Sequence, residues 1–146
     1  MPEIHFNIDL KVEEVIQDSL KVVTDFNAFD RVCFASFRSS RTEKVLRQNQ
    51  NTIISMGMKD VALFKFFKFH NKKIKIIQIP LKWKGIKILT RNLIQKAHKS
   101  NLLVHVWTIN DRKIINNLID LGVNGIVTDE PELLMEIMKE RDLISN

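Results

Sequence analysis

Asp9 and Lys11 stand two residues apart at the end of an alternating run, Ile4-His5-Phe6-Asn7-Ile8. On a β-strand, residues two apart share a face. The carboxylate and the ammonium can therefore both point into a site at the strand's carboxyl end, the edge where parallel α/β proteins bind ligands. The other reading of the pair is an acid and a lysine in the strand-to-helix loop, solvated or capping the segment from Val12 onward. Trp107 closes a second apolar run, Val104-His105-Val106. Its ring can pack on a ligand or attract a cation, or it can be a core aromatic. Ser36 ends a third run and can bond a ligand or cap the helix that follows. General acid/base chemistry needs its groups within hydrogen-bonding reach of the reacting oxygens, and no pair among His5, His70, His98 and His105 has such spacing. His5 shares the face of Asp9 but lies about 13 Å away at strand rise. His5 and His105 read as inward-pointing, His70 and His98 as surface residues. Cys33, in an apolar run without a suggested partner, reads as a small buried hydrophobe.

The elements that would position these residues form six strand-then-helix units. Expected strands are Glu3–Asp9, Arg31–Phe37, Thr52–Ser55, Lys73–Ile79 (stopped by Pro80), the run ending at Trp107, and Val123–Val127. Expected helices are Val12–Val23, with Val12, Val15, Ile16, Leu20 and Val23 on one face, and a short one from Thr42 through Val45 and Leu46. The others are Met58–Phe69, Thr90–Ser100 with Thr90 as N-cap, Asp111–Leu121 closed by Gly122, and Pro131–Leu143 with its proline in the first turn. Phe64, Phe66, Phe67 and Phe69 surround too much of one helix for a single core stripe. Trp83 and Gly85 fall in a connecting loop, with Trp83 either an anchor or a contact to head groups or nucleic acid. A strand plus crossover helix, repeated, is α/β architecture with parallel strands.

A chain of 146 residues supports one domain, 1–146. A closed (β/α)8 barrel usually needs about 250 residues, or about 200 at the lean end, so a closed barrel is excluded. The alternatives are an incomplete barrel or an open doubly wound parallel sheet. One cysteine excludes an internal disulfide and suits a reducing compartment. No signal peptide is visible, and no apolar stretch approaches the roughly 20 residues of a membrane span. A cytoplasmic location is expected. The net charge of +6 is concentrated: residues 61–110 hold 11 Lys/Arg and no Asp or Glu. Such a block can steer a membrane surface or nucleic acid, or it can be a solvated lysine-rich face. No specific nucleic-acid motif is present.

Several short motifs then fall in one order. Phe6-Asn7-Ile8-Asp9-Leu10-Lys11, Ala35-Ser36-Phe37, Gln78-Ile79-Pro80, Ala97-His98, Trp107-Thr108 with Asn110, and Thr128-Asp129 with Pro131 follow one another along the chain. Together they resemble the glycerophosphodiester phosphodiesterase family, (β/α)8-barrel enzymes acting on deacylated phospholipids. The resemblance runs from the family's third strand, usually ending in Glu-X-Lys, to its eighth. It implies an incomplete TIM barrel of about six βα units. The activity it implies is metal-dependent hydrolysis of a glycerophosphodiester to glycerol 3-phosphate and an alcohol. It also implies Asp9, one methylene shorter than the family's Glu, as a partial ligand of a divalent metal (Mg or Ca), and Lys11 as a phosphate contact. Ser36 becomes a substrate contact and Trp107 a platform for the glycerol, the alcohol or a choline cation.

The family's Glu-X-Asp and its two acid/base histidines have no counterpart ahead of Asp9. Glu140-Arg141-Asp142 has the spelling, but on a helix, where residues two apart do not face each other. No residue is therefore assigned a catalytic role. The expectation is a fragment that is inactive alone, completed by a second polypeptide or by self-association. The competing class is a binding module that recruits an anionic lipid surface or nucleic acid through residues 61–110.

Overall fold

The computed structural model describes residues 4–67 and 71–144. The chain packs as two compact units, Met1–Ile77 and Gln78–Asn146. The first contains β1 (Phe6–Asp9), α1 (Val15–Asp25), β2 (Val32–Ala35), α2 (Ser39–Gln48), β3 (Ile53–Met56), α3 (Met58–Phe67) and the first half of β4 (Ile76–Ile79). Its strands are parallel, β1 beside β2, β2 beside β3 and β3 beside β4, with Phe6 opposite Val32, Cys33 opposite Ile53 and Ser55 opposite Ile76. Every residue of β2 is buried, as the unbroken run Val32-Cys33-Phe34-Ala35 dictates for a parallel strand covered on both faces. β1 is different: it pairs on one side, and Phe6 and Ile4 stay nearly half exposed.

Helix α1 buries Ile16, Leu20 and Val23, one stripe at helical spacing. It begins at Val15, and Val12 remains exposed ahead of it. Helix α2 starts at Ser39, three residues before the expected Thr42, and buries Ser39, Thr42, Val45 and Leu46. Its first turn, Ser-Ser-Arg, carries no apolar period, so its start was invisible in the pattern. That start packs closely on Gly57, where a Cβ would stand 2.5 Å from the Ser39 backbone nitrogen. Within α3, Phe64 is fully buried while Phe66 and Phe67 are about three-quarters exposed, as the crowded phenylalanine pattern required. Glu3, Phe69 and His70 lie outside the described residues.

The second unit holds the rest of β4, which stops at Pro80, a two-stranded hairpin of β5 (Lys82–Trp83) and β6 (Ile86–Lys87), then α4 (Arg91–Lys99), β7 (Leu103–Val106), α5 (Arg112–Leu121), β8 (Gly125–Ile126) and α6 (Pro131–Glu140). The hairpin replaces the expected loop. The Trp107 N–H donates to the Ile79 carbonyl (3.2 Å), and β7 runs parallel to β8 with His105 opposite Gly125. The expected N-cap is used, Thr90 accepting from the Leu93 N–H (3.2 Å), and Asp111, read only as the first residue of its helix, caps α5 by accepting from the Ile114 N–H (2.8 Å). Helix α6 buries Ile137 and is held to α5 by Arg112, which reaches Glu136 (2.6 Å) and Glu140 (2.8 Å).

In both units each strand pairs with the strand of the next βα unit. Neither shows the order reversal that marks a doubly wound sheet. The architecture is that of an incomplete (β/α)8 barrel with six βα units.

Candidate functional site

At the carboxyl end of β1, Asp9 and Lys11 flank Leu10, whose side chain is fully buried. Strand alternation turns the flanking pair to the other side, and the Lys11 Nζ lies 2.5 Å from Asp9 Oδ2. The segment between them is pinned. The Leu10 N–H donates to the Ala35 carbonyl (2.8 Å), and the Leu10 carbonyl accepts from Ser36 Oγ (2.8 Å) and Arg41 Nη1 (3.2 Å). Ser36 is buried, and its oxygen also accepts from the Arg38 N–H (3.3 Å). The hydroxyl thus serves the backbone of the neighbouring strand end. Arg41 was not singled out from the sequence, because its contact spans 31 residues and no local pattern announces it. Glu13, just beyond, forms an ion pair with Lys44, which holds its carboxyl below the usual range by hydrogen bond and charge.

In the second unit the carboxyl ends of β7 and β8 are latched together by Asn110. Its Nδ2 donates to Asp129 Oδ2 (3.1 Å), and its Oδ1 accepts from Thr128 Oγ1 (3.0 Å) and the Asp129 N–H (2.9 Å). Thr128 Oγ1 in turn accepts from the Glu130 N–H (2.9 Å), which sets the chain into α6. Sequence reasoning noted these letters as a motif without giving them this work. Trp107 begins the β7 loop with its side chain half-buried, and the peptide bond joining it to Thr108 is cis.

Three histidines, His5, His98 and His105, fall among the described residues. His105 is half-buried on β7 with its ring against Gly125, where a Cβ would stand 2.7 Å from Cδ2. Burial lowers its pKa, which favours the neutral ring. His98 is exposed on α4 and its Nε2 meets Asn124 Oδ1 at 2.9 Å. His5, expected to point inward, is exposed.

A magnesium or calcium ion takes roughly six or more oxygen ligands. Asp9 offers one carboxylate, already ion-paired, and among the described residues no group of three or more His, Cys, Asp or Glu could hold an ion. The described residues by themselves do not fit a divalent-metal site. Among them, too, no helix is long and apolar enough to cross a membrane.

Known proteins agree on the family. The model of the glycerophosphoryl diester phosphodiesterase family matches residues 2–133. A Mycobacterium tuberculosis protein named "Probable glycerophosphodiester phosphodiesterase 2" is 24% identical over 97% of this chain and 57% of its own length. The glycerophosphodiester phosphodiesterase of Bacillus altitudinis is 25% identical over 92% of this chain and 56% of its own. Among solved structures, an Oleispira antarctica phosphodiesterase in complex with the product sn-glycerol-3-phosphate aligns with a TM-score of 0.72 at 15% identity, covering 92% of this chain and 55% of that one. The chain spans about half the length of the relatives it matches.

Proposed function

The chain belongs to the glycerophosphoryl diester phosphodiesterase family, and from that membership we propose that it is a glycerophosphodiester phosphodiesterase-like part of a phosphoric diester hydrolase, without turnover of its own. The observation that carries the reading is the Asp9–Lys11 pair, set at the carboxyl end of a parallel strand on a buried scaffold. Lys11 Nζ, with 81% of its side chain exposed, is the phosphate contact: a phosphodiester anion competes with Asp9 for the ammonium. Asp9 would offer a single carboxylate toward a divalent ion, whose remaining ligands would have to come from outside the described residues. Ser36 positions this pair through Leu10. In the other unit, taken by itself, the half-buried indole of Trp107 offers a packing surface for an alcohol group or a choline cation.

Acid/base groups are the missing ingredient. The reading is supported by His5 being exposed, His98 engaged by Asn124 and His105 packed on Gly125, since an acid/base group must come within hydrogen-bonding reach of the reacting oxygens. The purified chain should therefore release no glycerol 3-phosphate from glycerophosphocholine or glycerophosphoethanolamine, with or without added magnesium or calcium. Turnover well above a no-enzyme control and lost in Asp9→Ala would overturn the reading. A second reading, a binding module for an anionic partner, is favoured by the 11 basic residues without an acid in 61–110.

A further inference from the structure

The β5–β6 hairpin combines exposed apolar surface with positive charge. Trp83 and Ile86 are direct cross-strand partners, as are Lys82 and Lys87. Cross-strand partners share a face, so an indole and an isoleucine stand side by side on one face and two ammonium groups on the other. Trp83 is 37% exposed and Ile86 62%. The strands are joined by Lys84 and Gly85, both with positive φ (48° and 78°), the backbone that a two-residue hairpin turn demands. The tip is thus tight. Lys84 Nζ lies 5.0 Å from the centre of the Trp83 ring, which places a third cation beside the apolar pair.

We propose that this hairpin docks on a bilayer containing anionic phospholipid, with Trp83 and Ile86 entering the head-group zone and Lys82, Lys84 and Lys87 meeting lipid phosphates. Indole rings favour the membrane–water interface, where one part of the ring is apolar and the N–H stays wet. Lysines beside them can lay their stems along apolar surface and keep the ammonium at the phosphates. The charge complements that surface, since no acid occurs anywhere in residues 61–110. Single-stranded nucleic acid fits less well: it is held by stacking on open aromatic faces. Here the indole already has the Lys84 ammonium over it, and Ile86 offers no ring. A second copy of the hairpin fits less well still, because its lysines would be brought against these. The inference does not depend on the phosphodiesterase reading, since no substrate or turnover enters it.

The test uses the full chain with vesicles of phosphatidylcholine alone and of phosphatidylcholine mixed with phosphatidylglycerol. Co-sedimentation with the mixed vesicles alone is expected, weakening as salt rises. The chain has two tryptophans, Trp83 and Trp107. In a Trp107→Phe variant, Trp83 emission should therefore shift to the blue on the mixed vesicles and be quenched by brominated acyl chains. Replacing Lys82 and Lys84 with Ser should weaken binding about fivefold per lysine. Trp83→Ser with Ile86→Ser should sharply reduce co-sedimentation with the mixed vesicles in a chain that still melts cooperatively. Equal binding to both vesicle types would overturn the proposal, as would vesicle binding with unshifted, unquenched Trp83. So would binding of a single-stranded oligonucleotide that outcompetes the mixed vesicles. Should the serine variant fail to fold, the Trp107→Phe quenching result decides alone.

Discussion

Ser36→Ala separates a hydroxyl that touches ligand from one that holds the strand end. In the structure its Oγ donates to the Leu10 carbonyl at 2.8 Å and accepts from the Arg38 N–H at 3.3 Å, with Arg41 Nη1 at 3.5 Å. A buried bond of good geometry is worth about 1 kcal/mol net, and the longer one contributes less. The Leu10 carbonyl is not orphaned by the change, because Arg41 Nη1 still lies 3.2 Å away, so the full desolvation penalty is avoided. The expected loss is about 1–2 kcal/mol of stability, or about 3–8 °C in melting midpoint for a chain near this size. Denaturant titration should show the midpoint falling at constant slope. Amide exchange should show the Leu10 N–H, which donates to Ala35, losing protection beyond that global change. An unmoved midpoint together with weakened binding of glycerol 3-phosphate would refute the positioning role and make Ser36 a ligand contact.

Two further outcomes follow from burial. Desolvation pushes the Cys33 thiol from its usual value of 9.0 up to about 12. The unfolded chain then gives up this proton first, so the associated stability is whole below pH 9 and is lost as pH rises toward about 12, at about 1.4 kcal/mol per pH unit. Cys33→Ala should flatten alkaline unfolding by that slope, and identical slopes for variant and parent would refute it. The half-exposed Phe6 beside the unpaired side of β1, and Val127 (42% exposed) after β8, should make the isolated chain bind hydrophobic dye and self-associate in size-exclusion chromatography. A sharp monomer that takes up no dye would contradict this.

The βα rhythm was legible because its signals are local. The continuous apolar run of β2, the isoleucine-rich β4 with its break at Pro80, the cap at Thr90 and the stop at Gly122 each need only a few neighbouring residues. The motif order was legible for the same reason, and it led to the family. The β5–β6 hairpin escaped notice because two residues per strand are too few to display a period of two. The grip of Arg41 on Leu10, and of Asn110 on Asp129, lies in contacts between segments far apart in sequence. For His5, alternation says which residues share a face. It does not say whether a neighbouring element covers that face.

The close contacts at Gly57 and Gly125 carry unequal consequences for how this sequence can drift. At position 125 the obstacle to a side chain is the imidazole of His105. A smaller residue at 105 would lift the restriction, so these two positions are free to change if they change as a pair. At position 57 the obstacle includes the Ser39 backbone nitrogen at 2.5 Å and its Cα at 2.8 Å, atoms that every residue at 39 would retain. No substitution at 39 can release 57. One glycine is therefore tied to a partner's identity, and the other to the path of the chain itself.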